Sequence, residues 1–149
     1  MSFANGNGKS VASRESSESS PTAARMPLPR ERKSLTHKFE LGNHEGYVTV
    51  GFYDDGSVGE IFLNGFGKDG SFVQCTMGCW AKAMSNSLQY GQPLYKVITN
   101  YLNMRFEPNG ATSNPDIPYA QSIPDYIARW LAFRFLSEDE RELHGINLV

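Results

Sequence analysis

The stretch THKFELGNHEGYVTVGFYDDGSVGEIFLN, residues 36–64, decides the fold because its hydrophobic residues recur at every second position. Successive side chains of a β-strand point to opposite faces, so this period predicts strands with one buried face. The residues expected to face inward are His37, Phe39, Leu41, Val48, Val50 and Phe52. Thr36, Lys38 and Glu40 are expected on the opposite face.

Two turns divide this stretch into three strands. The segment GNHEG, residues 42–46, is bounded by glycines, and YDDGS, residues 53–57, contains the Asp-Gly pair that is typical of hairpins. A third strand, VGEIFLN, follows at residues 58–64. The sequence therefore predicts an antiparallel three-stranded meander.

Helical periodicity replaces the alternation after the third strand. Apolar spacings of three and four predict a helix with a stripe from Val73 to Leu88, a shorter one in residues 93–104, and a third that begins at Ser122. Ser122 is expected to cap the amide of Asp125, and the third helix is expected to be the most buried. Three strands packed against about three helices indicate an α+β fold with two layers.

Length and composition fit one domain: the chain has 149 residues, of which 40% are hydrophobic. Residues 1–27 are expected to form a disordered, serine-rich and basic tail, residues 28–137 the domain, and residues 138–149 an acidic C-terminal tail. The net charge of −2 disfavours nucleic-acid binding by the folded part. Apolar runs long enough for a signal peptide or a membrane span are not found, so a cytoplasmic protein is expected.

The two cysteines, Cys75 and Cys79, are four residues apart in the first helix. At this spacing their Cβ vectors are parallel and too far apart for an unstrained disulfide, and two thiols are too few ligands for a structural zinc ion. We therefore expect small buried thiols that pack within the fold, and no metal site.

Candidate acid–base chemistry is limited to the histidines. His44 and Glu45 in the first turn, with His37 across the strand pair, would form an acid–base pair, but histidines near strand ends are more often structural, and no catalytic residue is expected. The glycine-rich segment LNGFGKDGS, residues 63–71, lacks the spacing of a phosphate-binding loop, although its amides would suit an anion at the start of a helix.

A long connection, residues 104–130, carries charges of both signs beside apolar residues that favour an ordered loop. Its charged and polar residues of interest are Arg105, Glu107, Asn114, Asp116 and Asp125. In a structural interpretation, Arg105 holds the loop by pairing with Asp116 or Glu60. In a functional one, Arg105 binds a phosphate or the carboxylate of a partner, and the loop forms the rim of the functional surface.

Several motifs occur in a characteristic order: THKF at residues 36–39, HEGY at 44–47, GEIF at 59–62, RFEPNG at 105–110 and DYIARWL at 125–131. Together they resemble the TSCPD domain, which is best known near the C-terminus of adenosylcobalamin-dependent (class II) ribonucleotide reductases. The resemblance covers about residues 28–136. Among the matching positions, the candidates for binding a ligand or partner are His37, Lys38, His44, Glu45, Arg105, Glu107, Asn114, Asp116, Asp125 and Arg129.

The chain also departs from those reductases. Within its 149 residues nothing resembles the barrel that bears the radical-forming cysteine and binds cobalamin, and residues 137–149 contain no cysteine. The resemblance therefore implies a stand-alone accessory domain of a ribonucleoside-diphosphate reductase, which docks to or regulates a separate catalytic chain and is not catalytic alone. We expect no cofactor on this chain, and adenosylcobalamin in the partner.

Two alternatives to the accessory role remain. In the first alternative, the chain is an independent nucleotide- or anion-binding module unrelated to a reductase, and the loop that contains Arg105 and Asp125 covers its pocket. In the second alternative, the chain is a purely structural oligomerisation domain, which implies a homo-oligomer. A rise in melting temperature on adding a nucleotide distinguishes the binding module from the other two.

Overall fold

The computed structural model of the protein describes residues 24–148. Its main sheet contains three antiparallel strands in the order β1-β2-β3, which confirms the predicted meander. The strands are β1 (Ser34–Leu41), β2 (His44–Phe52) and β3 (Val58–Asn64). Fully or almost fully buried residues on the inner face of the sheet are Phe39, Leu41, Val48, Val50, Ile61 and Leu63. The alternation in the sequence thus marks the core face correctly.

The first turn is shorter than the glycine-bounded segment predicts. Gly42 and Asn43 alone connect β1 to β2, and Gly42 has a φ of +58°, in the left-handed region that suits the first position of a two-residue hairpin turn. His44 and Glu45 belong to β2, where they pair with Leu41 and with Glu40. Their prediction as turn residues is therefore wrong.

The three predicted helices are confirmed, and a short fourth helix follows them. Two two-residue strands pair within the long connection and give it regular structure. In chain order these elements are α1 (Phe72–Gln89), α2 (Leu94–Tyr101), β4 (Gly110–Ala111), β5 (Tyr119–Ala120), α3 (Ile123–Phe135) and α4 (Glu138–Leu143).

Side-chain caps fix where the helices begin. The predicted cap of α3 is present, since the Ser122 hydroxyl accepts a hydrogen bond of 3.0 Å from the amide of Asp125. Ser71 caps α1 in the same way by accepting from the amide of Gln74. Each cap satisfies an amide that the first turn of a helix leaves without a partner.

Helix α3 packs beneath β1 and β2. The ring of Tyr126 stacks on Phe39 with centroids 4.6 Å apart, and Phe135 meets Phe52 edge to face at 5.6 Å. Nine of the 13 residues of α3 are buried, compared with six of 18 in α1, which confirms α3 as the most buried of the three predicted helices. The helix therefore runs along β1, with Tyr126 near its end and Phe135 near its start.

Helix α1 lies along the outer edge of β3 and occupies the backbone groups there. The Ser85 hydroxyl accepts from the amide of Ile61 at 2.8 Å and lies 3.1 Å from the carbonyl of the same residue. Gln89 donates to the carbonyl of Gly59, and Gln74 donates to the carbonyl of Leu63. Polar residues on the inner side of α1 thus cover an edge that would otherwise be open.

The prediction that Cys75 and Cys79 are buried is wrong, because both thiols are exposed. The inner side of α1 includes Met77 and Met84. At 100° per residue, positions 75 and 79 lie about 200° from position 77, so both thiols point away from the sheet.

The two ends of the described chain contact the domain. The amide of Met26 donates to the carbonyl of Gln89, so a segment predicted as tail is held near residue 26. The disorder predicted for residues 1–23 lies outside the described residues. At the other end, α4 begins with a capping box between Ser137 and Glu140, and Ile146 is buried. The acidic C-terminal segment is therefore helical and docked.

The helices of residues 24–148 are either too short or too polar to cross a membrane. Localisation in the cytoplasm stays a prediction.

Candidate functional site

A groove of about 550 Å³ lies between β1, the middle of α3 and the loop at residues 113–116. It brings together four of the predicted site residues, namely His37, Lys38, Asn114 and Asp116. Residues that were not predicted as site residues complete its lining, among them Tyr126, Trp130, Phe133 and Arg134. Ligand sites are commonly concave and combine aromatic residues with a few polar groups that converge, so the groove is the candidate functional site.

A chain of hydrogen bonds crosses the inner end of the groove. The side-chain oxygen of Asn114 accepts from the amide of Asp116 at 3.0 Å, so the Asn114 NH₂ group faces Tyr126 and donates to its hydroxyl at 3.1 Å. The proton of the Tyr126 hydroxyl is then available to Nε2 of His37, 2.9 Å away. Since Nε2 accepts this proton, the network favours a neutral His37 ring.

The surroundings of His37 favour the same protonation state. Burial lowers the pKa of His37 below its ordinary value, and the charge of Arg134 lowers it further. Its ring stacks on Trp130 with centroids 4.9 Å apart and an angle of 9° between the planes. Burial also raises the pKa of Tyr126, an effect that the bond from Asn114 opposes. Both rings are therefore neutral hydrogen-bonding surfaces near pH 7.

The two ends of the groove carry opposite charges. Asp116 lies in the loop at the end near Leu41, since Thr112 pairs with that residue. Arg134 lies at the other end, one residue before Phe135, which packs against the start of the sheet. The Arg134 side chain is exposed and forms no hydrogen bond or ion pair with residues 24–148. The groove thus presents a guanidinium group that can bind a carboxylate or phosphate of another molecule.

Lys38 and Glu45 line the outer face of the sheet beside the groove. The Lys38 ammonium group lies 3.2 Å from a carboxylate oxygen of Glu45 and 6.0 Å from the ring centroid of Tyr47. The interaction with Glu45 raises the pKa of Lys38. Because both charged side chains are exposed, this ion pair contributes little stability and is open to exchange with a ligand or partner.

Asp125 holds the long loop, in place of the predicted clamp by Arg105. Its buried carboxylate accepts from the amides of Asn103, at 2.7 Å, and Gln121, at 2.9 Å, and it pairs with Arg129 at 3.1 Å. The loop is therefore tied from both sides to the first turn of α3. Asp125 and Arg129 are both predicted site residues, and the structure places them in this internal cluster instead of the groove.

The predicted pairing of Arg105 with Asp116 or Glu60 is wrong. Glu60 is bound by Arg32 through two hydrogen bonds, and Arg105 is exposed without an ion pair among the described residues. Glu107 and His44 are also exposed and lie outside the groove lining. The ten predicted site residues therefore separate into a groove set, an internal cluster and surface positions outside the groove lining.

Sequence reasoning missed Tyr126, Trp130, Phe133 and Arg134 as residues of the site. Their spacing of four, three and one places them on one face of α3, the helix that the sequence predicts to be the most buried. The signal was the arginine at the end of an otherwise aromatic stripe. A charged residue in such a stripe indicates that this part of the helix face meets solvent, and Arg134 is indeed exposed.

No three histidine, cysteine, aspartate or glutamate side chains converge on a common point in the part of the chain that the structure describes. The expectation that this chain binds no cofactor stays a prediction.

Comparison with known proteins identifies the family. The TSCPD domain matches residues 19–134. The chain is similar to a protein named vitamin B12-dependent ribonucleotide reductase from Rhodopirellula baltica, with 47% identity over 116 residues, or 78% of this chain and 11% of that protein. A protein of the same name from Streptantibioticus cattleyicolor is 44% identical over 123 residues, or 83% of this chain and 20% of that protein.

A third relative of that name, from Streptomyces avermitilis, is also 44% identical, and this chain covers 13% of its length. The chain thus spans between about a tenth and a fifth of the length of these curated relatives. No solved structure matches it. The resemblance inferred from the motifs is confirmed, and the chain belongs to the TSCPD domain family.

Proposed function

We propose that this chain is an accessory domain of a class II, vitamin B12-dependent ribonucleoside-diphosphate reductase, which supports deoxyribonucleotide synthesis by docking to or regulating a separate catalytic chain. The main support is the match itself, because relatives at 44–47% identity bear the name of that reductase while this chain corresponds to only 11–20% of their length. A chain of this length would correspond to one domain of such an enzyme.

The groups in the groove suit recognition better than radical chemistry. His37 accepts from Tyr126 and stacks on Trp130, so its ring is engaged in structural contacts. The two cysteines are on an exposed face of α1, and neither lines the groove. We place the reduction, and the thiols it requires, in the catalytic chain.

The same division applies to the cofactor. A groove of about 550 Å³ is smaller than a corrinoid with its nucleotide tail, which supports this division. The proposal therefore assigns adenosylcobalamin to the catalytic chain, where it supplies the radical. In this proposal, the present chain contributes a binding surface with charged and hydrogen-bonding groups for the catalytic chain.

Binding to the catalytic chain tests the proposal. Both chains are purified from the cells that encode them, and affinity and ribonucleotide reduction are measured with and without this chain. We expect a complex, a change in turnover when this chain is added, and no reduction by this chain alone. A catalytic chain that neither binds nor responds would contradict the proposal.

A charge reversal tests whether the catalytic chain binds at the groove. Arg134→Glu should weaken the complex by about tenfold or more, because one charge-assisted contact is lost and a repulsion is added. Lys96→Glu is the matched control: Lys96 is an exposed cation of α2 outside the groove lining, and its reversal should leave the affinity unchanged. Equal losses for both variants would indicate a non-specific charge effect.

An independent nucleotide- or anion-binding module is the second candidate. The observation that favours it is the combination, in one groove, of the exposed ring of Phe133 with the guanidinium group of Arg134. A panel of nucleoside di- and triphosphates should then raise the melting temperature of the wild type and not that of Arg134→Glu. Stabilisation without any reductase binding would favour this candidate.

A further inference from the structure

The two edges of the main sheet differ in how they are covered. At the β3 edge, side chains of α1 bind the outward backbone groups of Gly59, Ile61 and Leu63. The β1 edge faces the groove, and among residues 24–148 no helix lies across it. An open edge is a ready template for another strand, and proteins usually protect it.

The register identifies which backbone groups are open. The amide of Phe52 donates to the carbonyl of Lys33, so this opposed pair exchanges hydrogen bonds. Bonded and non-bonded pairs alternate in an antiparallel ladder, so the pairs of β2 with Leu35 and His37 are bonded, whereas those with Thr36 and Lys38 are not. The amides and carbonyls of Thr36 and Lys38 therefore point outward, into the groove.

The chain already adds a strand to the end of this edge. The amide of Gly42, another outward-facing group, donates to the carbonyl of Ala111 at 2.8 Å, and Leu41 forms an antiparallel bridge with Thr112. The chain then turns away in the loop at residues 113–116, which closes the groove. Strand pairing thus begins on β1 and stops before it reaches Lys38.

Lys38 does not protect this edge in the way that lysines on edge strands commonly do. Its ammonium group reaches across the outer face of the sheet to Glu45 on β2, 3.2 Å away, and lies over the ring of Tyr47. The side chain is therefore directed away from the line on which a new strand would lie.

The groove beside the edge has features that fit an extended polypeptide. Phe133, which is exposed, offers an apolar contact for a side chain of the segment, as sites for added strands do. Arg134 stands at the Leu35 end without a carboxylate partner among the described residues, and Asp116 stands at the other end. This polarity selects a segment with an acidic residue at the Arg134 end.

We propose that an extended segment of the reductase's catalytic chain adds to β1 as a fourth strand, pairing with the backbone of Thr36 and Lys38 and placing a carboxylate against Arg134. The inference rests on the proposed function, since it names how the same partner is held. It adds the mode of recognition, the backbone groups that carry it and the chemistry of the partner segment.

Hydrogen–deuterium exchange on the intact complex tests the pairing. The amides of Thr36 and Lys38 should exchange at least about tenfold more slowly in the complex than in the free chain, because each gains a backbone acceptor. The amide of Asp54, in the exposed turn between β2 and β3, should keep its rate. Protection of the same two amides in the free chain at rising concentration would identify a second copy as the occupant and overturn the proposal.

A backbone substitution provides the second test. Thr36→Pro removes an amide that points away from β2, so the ladder between β1 and β2 keeps its bonds while the added strand loses a donor. Affinity should fall by about tenfold or more. Thr49→Val is the matched control: it loses the same 3.0 Å hydroxyl contact with Thr36 from the neighbouring strand, outside the groove lining, and should bind as the wild type does.

The outcomes separate the two proposals. Binding with unprotected amides and an unaffected, folded Thr36→Pro variant overturns strand addition and leaves the accessory role intact. Absence of any complex overturns both. If Thr36→Pro does not fold, the exchange measurement on the wild type decides alone.

Discussion

At the scale of single residues, Asp125 determines the conformation of the long loop. It is fully buried, and its carboxylate is shared between two backbone amides of the loop and the guanidinium group of Arg129. Arg129 in turn donates to the side-chain oxygen of Asn103 at 2.7 Å, so the start and the end of the loop meet at one ion pair. A buried charge is tolerated here because all its acceptor positions are used.

We therefore predict that Asp125→Asn lowers the free energy of unfolding by about 3 kcal/mol, because an NH₂ group would replace an acceptor that faces donors and Arg129 would lose its counter-charge. Urea unfolding followed by circular dichroism measures this difference. Asp116→Asn is the matched control, since this exposed carboxylate lies in the same loop and has no hydrogen bond or ion pair with residues 24–148. Its stability should stay within about 0.5 kcal/mol of the wild type.

Similar losses for Asp125→Asn and Asp116→Asn would mean that the loop depends on its net charge and not on the buried cluster. The sequence pointed to the correct loop and to an arginine–carboxylate pair within it. It predicted Arg105 as the arginine of this pair, whereas the structure uses Arg129, which is a full helical turn inside α3.

At the scale of secondary-structure elements, the pairing of α1 with the β3 edge explains why a helix that packs on a sheet keeps polar residues on its inner side. Ser85 and Gln89 are buried, and both are bonded to the backbone of β3. Each of these contacts provides a partner for a group of the edge strand that water can no longer reach.

Ser85→Ala should lower the free energy of unfolding by about 1–3 kcal/mol, because the amide of Ile61 would stay buried without an acceptor. Ser87→Ala is the matched control on the same helix. Both hydroxyls donate to the carbonyl four residues earlier, but that of Ser87 is near solvent and touches no strand. Thermal melts of the two variants should differ clearly, and a smaller loss at Ser85 than at Ser87 would refute the role of α1 as an edge cover.

The elements themselves were largely predictable from local pattern. Hydrophobic residues at every second position predicted the three strands. Hydrophobic residues with a period of 3.6, together with the capping residues, predicted the three main helices. The assignment of the two cysteines failed although the same periodicity contained the answer, since their positions lie opposite the inner stripe of α1. The pairing of α1 with a strand edge has no signature in its hydrophobic pattern, because the residues that form it are polar.

At the scale of the whole molecule, three separate segments enclose His37. It lies on β1, its ring stacks on Trp130 of α3, and its Nε2 bonds Tyr126, which the loop residue Asn114 also contacts. Protonation of this ring would place a charge next to Arg134 and remove the acceptor of Tyr126. The folded state therefore binds the proton less readily than the unfolded chain does.

This difference makes the stability of the whole domain dependent on pH. Because the folded pKa of His37 lies below its unfolded value of about 6.5, the unfolded state binds more protons in this window, and stability falls as the pH falls through 6.5. The melting temperature should therefore decrease between pH 7.5 and 5.5, and His37→Gln should flatten this profile. The lowered pKa values of Asp55 and Glu140 act only at pH below about 4.5, outside the scan.

Calorimetry over this range measures the effect, with His44→Gln as the control. His44 is exposed at the start of β2, so its replacement should leave the profile as it is in the wild type. A profile flattened equally by both replacements would exclude His37 as the source.

The sequence by itself determined the meander, the three main helices, the α3 cap and the family, because each depends on neighbours within a few residues or on motifs in order. Only the tertiary structure decided which residues form the groove. Lys38 and Arg134 come from elements almost 100 positions apart, and Asn114 reaches them through a loop fixed by Asp125. Likewise, whether an edge of the sheet is open depends on where α1 packs, and contacts between distant segments leave no period in the sequence.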